Sequence, residues 1–127
     1  MQTNVLLSIK PNFAEAIFGG TKRFEFRRTI FREPNVNRVI VYASSPVQKV
    51  LGEFTIGEIL DLTLKDLWKE TNRWSGIEQH YFNDYFHGCK SGYALRIIKP
   101  RRFSRPLSLQ QHYGITHPPQ SFRYVNC

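Results

Sequence analysis

The stretch LLSIKPNFAEAIFGGTKRFEFRR, Leu6–Arg28, packs three structural signals into one continuous run. Its apolar start, with Val5 before it, reads as a strand buried on both faces. Pro11 suits the first turn of a helix. Phe13 with Ile17, and Ala14 with Phe18, recur four residues apart and give that helix an apolar face. Gly19 or Gly20 then supplies the left-handed residue that ends it. From Lys22 to Arg28 the period changes to two. Arg23, Glu25 and Arg27 point one way, and Phe24 and Phe26 point the other. The two phenylalanines are core residues. The opposite face sets one carboxylate between two guanidinium groups, directly after a Gly-Gly turn and a lysine. It reads either as a solvated strand face or as the floor of an anion-binding site.

Outward from this stretch, Arg38–Ser44 is a nearly continuous apolar run that predicts a central strand. Lys49–Leu60 predicts a long strand, and Gly52 and Gly57 inside it mark a bulge or a sharp bend. Thr63–Asp66 and Ser75–Glu78 both read as capping boxes that open helices. Their apolar stripes are Leu64, Leu67 and Trp68, then Ile77, Tyr81, Phe82, Tyr85 and Phe86, with Gly88 closing the second. Gly92–Ile98 is a further strand, and Pro100 is expected to interrupt it. A basic extended segment follows, then one helical turn at Leu109–Gly114, a loop through Pro118–Pro119, and a short last strand. Strands and helices do not alternate regularly, which excludes a doubly wound fold. The order predicts an α+β fold, a small mixed β-barrel with inserted helices, forming one domain over residues 1–127.

The chain of 127 residues carries a formal net charge of +8, spread unevenly. Residues 1–50 hold +5, residues 51–92 hold −3, and residues 93–127 hold +6 with no carboxylate. Basic ends flanking an acidic middle predict one positive face and one negative face, which suits a nucleic-acid or nucleotide partner. VLLSI, Val5–Ile9, is too short for a signal-peptide core or a membrane span. Cys89 and Cys127, one in a loop and one at the end, predict no structural disulfide. A protein of a reducing compartment, cytoplasmic and without membrane contact, is expected. The sequence has no Ser-His-Asp signature, P-loop or dinucleotide fingerprint. His80, His87 and Cys89 lack the tight four-ligand spacing of a structural zinc site, so no metal and no cofactor are expected.

The pattern of Leu6–Arg28 resembles the ASCH domain, a member of the PUA-like superfamily. That family places a helix, a glycine and then G-x-K-x-x-E-x-R at this point, matched here by Gly20, Lys22, Glu25 and Arg27. VLGEFTIGEIL, WSGIEQHYFNDYFHG and GYALRI are similar to the family's central strand, helix and returning strand. The resemblance covers residues 4–108, and PPQSFRYV is similar to the tail of an ASCH subgroup, so residues 109–127 are expected to pack on the barrel. The resemblance implies a PUA-like β-barrel with a basic cleft beside the motif and a role in RNA binding, linked to RNA metabolism or regulation. Some members are hydrolases on modified nucleosides and some are ribonucleases. In the amidohydrolase members the motif lysine works with a threonine three positions later and a distant glutamate. Lys22 matches the lysine, but Glu25 stands where that threonine would be.

Lys22 and Glu25 are therefore the candidate catalytic pair, and Arg27 is suited to a phosphate by its fixed fork of donors. Lys22 in a barrel mouth would have a lowered pKa and serve as base or nucleophile; the plainer reading is a solvated turn lysine. Arg23, Arg101, Arg102 and Ser121 are expected as outer RNA contacts. Arg101 and Arg102, interleaved with Pro100 and Phe103, suit a nucleic-acid backbone or, equally, a charge-protected edge strand. Tyr81, Phe82, Tyr85 and Phe86 read as core. Glu53, Glu70 and Glu78 are the further carboxylates that could face Lys22. Three functions remain: an RNA- or nucleotide-binding module, a small hydrolase on RNA or a modified nucleoside, and a protein-interaction domain.

Overall fold

The computed structural model describes residues 3–125. The elements run β1 (Thr3–Ile9), α1 (Pro11–Gly19), β2 (Phe24–Arg27), β3 (Val36–Ala43), β4 (Lys49–Thr63), α2 (Leu64–Thr71), α3 (Gln79–Tyr85), β5 (Ser91–Leu107), α4 (Leu109–Tyr113) and β6 (Phe122–Val125). They form the expected α+β fold. One mixed sheet has the order β2-β5-β4-β3-β1-β6. β1 and β3 are parallel, in the register Leu6 to Ile40, and the other neighbours are antiparallel. Cys127, expected to be unpaired, lies outside the described residues, and Cys89 is a half-buried free thiol.

The ladder leaves β2 and β6 as edges, yet the sheet curls until those edges meet. Arg27, which ends β2, donates to both the carbonyl and the Oγ of Ser121, each at 2.9 Å. Ser121 immediately precedes β6. The barrel-like shape is thus closed at a seam of side chains rather than by strand pairing.

The long β4–β5 pair supplies the bending. Its register shifts between Val50 and Gly52, between Glu53 and Thr55, and between Ile56 and Ile59. Each shift leaves residues unpaired and adds local twist, and the glycines fall where the sequence predicted a bend. A Cβ on Gly52 would collide with the Arg101 carbonyl and the Phe18 ring. Pro100 does not end the strand, contrary to expectation. It sits with Lys99 in the bulge between Ile98 and Arg101, where its missing N–H costs no ladder bond.

Three apolar clusters fill the interior. One lies between the sheet and α1, built on Val5, Ile17, Val39 and Phe54. A second joins β1, β3 and α4 through Leu6, Ile40 and Leu109. The third packs Phe26 of β2 against Leu67 of α2 and Phe82 and Phe86 of α3. Phe26 meets the rings of Phe82 and Phe86 edge-on, with centroids 5.3 and 6.1 Å apart. Thr63 caps α2 as predicted, its Oγ1 accepting from the Asp66 N–H at 3.4 Å. Ser75 does not cap α3. That helix starts at Gln79 with no side-chain cap, and Ser75 is instead buried in the turn before it.

Candidate functional site

Gly20 decides where Lys22 goes. Its φ of +88° ends α1 in the left-handed conformation, and the chain folds back on the helix end. The N–H groups of Thr21 and Lys22 both donate to the Ala16 carbonyl at 3.1 Å. Lys22 therefore enters the interior instead of the solvent and is only 2% exposed. Its Nζ donates to the Ser75 carbonyl at 2.7 Å and lies 5.1 Å from the ring centres of Phe13 and Phe26. The solvated-turn reading of Lys22 is thereby overturned. Gly76, at φ +71°, lets the next loop lie flat on the lysine stem. A Cβ there would stand 2.6 Å from Lys22 Cβ and 2.7 Å from its Cγ.

Glu25 follows on β2 and is 8% exposed. Phe24 and Phe26 pack into the α2–α3 cluster, as the alternation predicted. The face carrying Glu25 and Arg27 is covered too, because the segment before β6 crosses it. Arg27 bridges the two sides. One terminal nitrogen lies 3.6 Å from Glu25 Oε2, and the other holds Ser121. Ser8 Oγ secures the same segment by donating to the Pro119 carbonyl at 2.8 Å.

These groups line a cleft of about 620 Å³ at the seam. Lys22, Glu25, Arg27 and Ser121 all contribute to it. So do Lys10, Arg28, Tyr81 and Tyr85, which the sequence reading did not assign to the site. Tyr81 and Tyr85 are four apart on α3 and share a face. Each carries a cation over its ring at 5.1 Å, Lys10 over Tyr81 and Arg28 over Tyr85. The aromatic stripe of α3 is thus divided: Phe82 and Phe86 are core, while the two tyrosines line the cleft. Their phenol groups were the available signal, since a buried tyrosine hydroxyl needs a partner. Tyr85 finds one in the Phe26 carbonyl, to which it donates at 3.2 Å.

Burial shifts Lys22 and Glu25 in opposite directions. It lowers the Lys22 pKa below the usual lysine value, and the nearby Glu25 charge pulls it partly back. It raises the Glu25 carboxyl above the usual range, opposed by Lys22 and Arg27. In both cases removal from water disfavours the charged form. The two shifts bring the proton affinities of Lys22 and Glu25 closer together than those of a solvated lysine and a solvated glutamate.

The other expected contacts lie elsewhere. Arg23 stacks on the Trp74 ring at 4.0 Å, outside the cleft. Arg101 pairs with Glu53, which also holds Arg38 Nε at 3.0 Å, and Arg102 pairs with Glu15. Antiparallel pairing of β4 with β5 causes this, because it sets Glu53 opposite Arg101. Both arginines are therefore neutralised locally by carboxylates. Glu53 is spent on these ion pairs, and Glu78 pairs with His80 at 3.2 Å. Glu25 is the carboxylate in the cleft lining with Lys22. Among the described residues no group of three His, Cys, Asp or Glu side chains converges as metal ligands would. No helix among them is long and apolar enough to cross a membrane.

A curled mixed sheet with inserted helices and a charged cleft along its side-chain seam is the PUA-like architecture. Within it, the ASCH domain family matches residues 7–101, and the chain belongs to that family. It is similar to an ASCH domain-containing ribonuclease of Zymomonas mobilis, 31% identical over 123 residues, covering 94% of this chain and 82% of the relative. A crystal structure of ASCH from Zymomonas mobilis superposes with a TM-score of 0.88 at 29% identity, over 97% of this chain and 87% of that one. The N-terminal domain of Staphylothermus marinus McrB, at 14% identity and a TM-score of 0.53 over 88% of this chain and 80% of that one, shares the fold alone.

Proposed function

We propose that this chain, working as one domain, binds RNA in the seam cleft and acts in RNA metabolism. The observation that carries the reading is the placement of Lys22, Glu25, Arg27 and Ser121 around one cavity with unequal charge, cations outnumbering the carboxylate. Lys10 and Arg28 at the tyrosines suit phosphate oxygens, and the tyrosine rings suit bases or ribose. The similarity to a named ribonuclease points to the same class of ligand.

A second reading, cleavage of the RNA backbone, is favoured by the buried Lys22–Glu25 pair, which simple binding does not need. Neutral Lys22 takes the proton from a ribose 2′-hydroxyl, whose oxygen attacks the adjacent phosphorus. The bond from phosphorus to the 5′-oxygen breaks, and Lys22 returns the proton to that leaving oxygen. The products are a 2′,3′-cyclic phosphate and a free 5′-hydroxyl. Glu25 supplies the counter-charge while Lys22 is protonated. Ser121 accepts from Arg27, so its own O–H is free to donate to a phosphate oxygen.

The test is anisotropy of a labelled single-stranded RNA together with gel analysis of its cleavage. Binding that weakens steeply between about 50 and 200 mM salt is expected, with shorter products appearing over time. A wild-type protein that neither binds nor cleaves RNA would remove this reading and bring the protein-interaction alternative forward.

A further inference from the structure

We propose that a second groove beside the cleft is a subsite for the neighbouring nucleotide of the same single RNA strand. The proposal rests on the reading of the cleft as an RNA site. The groove, of about 590 Å³, lies between the start of α1 and the loop that leads into α3. It shares Lys10, Phe13, Ile77 and Tyr81 with the cleft. The two cavities are thus separated by a ridge of side chains, with Phe13 and Tyr81 edge-to-face at 5.2 Å along it.

The ridge and groove carry the chemistry that a nucleotide step requires. Lys10 is exposed, lies over the Tyr81 ring, and makes no ion pair among the described residues. It belongs to both cavities, which is where the phosphate joining two nucleosides would cross. In the groove, Asn12 and Arg73 are exposed and make no side-chain hydrogen bond or ion pair among the described residues. The Asn12 amide offers a donor and an acceptor side by side, as a base edge does. The Arg73 guanidinium suits either a phosphate or the face of a base. Phe13 and Tyr81 border both cavities and give each of them aromatic contact surface. A cation at the crossing point suits the phosphate that every step of a nucleic-acid strand carries.

This arrangement selects for single strands. Two neighbouring bases must splay apart over the ridge, and bases paired in a duplex are not free to do so. The ligand class is therefore single-stranded RNA of at least two nucleotides, with one base in each cavity.

The experiment measures affinities of a mononucleotide, a dinucleotide and a hexanucleotide, each 2′-O-methylated so that it is not cleaved. The dinucleotide is expected to bind about tenfold tighter than the mononucleotide, the contribution of one further stacked base and phosphate. In the double variant Asn12→Ala/Arg73→Ala that gain shrinks to about threefold or less. A duplex of the same sequence competes poorly. Equal affinity for one and two nucleotides in the wild type would overturn the subsite while leaving the cleft reading intact. Retention of the full gain in the double variant would overturn it as well. Failure of every strand to bind would remove both. Should the double variant not fold, the wild-type ratio of mononucleotide to dinucleotide affinity still decides.

Discussion

The seam between β2 and β6 and the outer face of β5 are both rich in arginine and glutamate, but their charges stand in different states. On β5 the pairs are solvent-exposed on the arginine side: Arg101 with Glu53, Arg102 with Glu15, Arg96 with Glu58. Water and neighbouring carboxylates already satisfy them, and such pairs are worth about 0–1 kcal/mol each. At the seam, Lys22 and Glu25 are withdrawn from water, and burial works against the charge of each. A ligand arriving at β5 must displace carboxylates to reach the arginines. A ligand arriving at the seam meets two groups whose charged forms burial disfavours, and cations, Lys10 and Arg28, that pair with no carboxylate among the described residues. The number of charges in a segment says less about function than the partner and the solvent each charge is given.

The largest effect expected from breaking this contrast is at Lys22. Lys22→Met keeps the apolar stem that fills the space beside Phe13 and Phe26 but removes the base. Cleavage should fall by about 100- to 10,000-fold. Thermal melting should change little, because the desolvated amine and its buried hydrogen bond to the Ser75 carbonyl are removed together. Unchanged cleavage in a folded variant would move the chemistry away from the seam.

Arg27→Ala comes next. It leaves Glu25 without its guanidinium partner and frees Ser121 from both hydrogen bonds. Hydrogen bonds to charged groups contribute roughly 1.5–3 kcal/mol, so denaturant unfolding should report a loss of that size. Hydrogen exchange at the Ser121 segment should quicken. If the segment stays protected, something other than Arg27 closes the seam.

Glu25→Gln tests the coupling within the pair. In the proposed cleavage a neutral lysine is the competent base, so the rate should rise with pH through the Lys22 pKa, at a point below the ordinary lysine value of 10.5. The Glu25 charge pulls that pKa upward, so its removal should move the rising limb to lower pH. A shift to higher pH, or no shift, would show that Glu25 does not tune Lys22.

The smallest effect belongs to β5. Arg101→Ala/Arg102→Ala should cost about 1 kcal/mol or less of stability per pair. It should leave the salt dependence of RNA binding nearly as it was, whereas Lys10→Ala should lower the slope by about one. A drop of about two in the β5 double variant would mean that both arginines reach phosphates and that the contrast is false.

Much of this was legible in the sequence, for identifiable reasons. Local signals carried α1, the Gly-Gly turn and the alternation of β2, because Pro11, Gly20 and the phenylalanine spacing act over a few residues. Lys22, Glu25 and Arg27 were expected at one place and line one cleft, and Ser121, expected as an outer contact beside Arg23, Arg101 and Arg102, lines it with them. The burial of Lys22 was not legible, since it depends on Ser75 and Gly76, more than fifty residues away. The capping-box pattern even pointed Ser75 to a different task. The fate of Arg101 and Arg102 was hidden for a similar reason. Their partners, Glu53 and Glu15, are set by sheet register and helix packing, which a linear count of charge cannot supply. Tyr81 and Tyr85 were absorbed into an apolar stripe whose period could not say which members face inward.

The most direct test of the contrast is a titration of a short 2′-O-methylated single-stranded RNA into isotope-labelled protein, followed by nuclear magnetic resonance. The account predicts that shifts concentrate on Lys10, Lys22, Arg27, Arg28, Tyr81, Tyr85 and Ser121, while Arg101, Arg102 and Phe103 stay still. Shifts confined to the β5 face, with the seam residues unmoved, would contradict it.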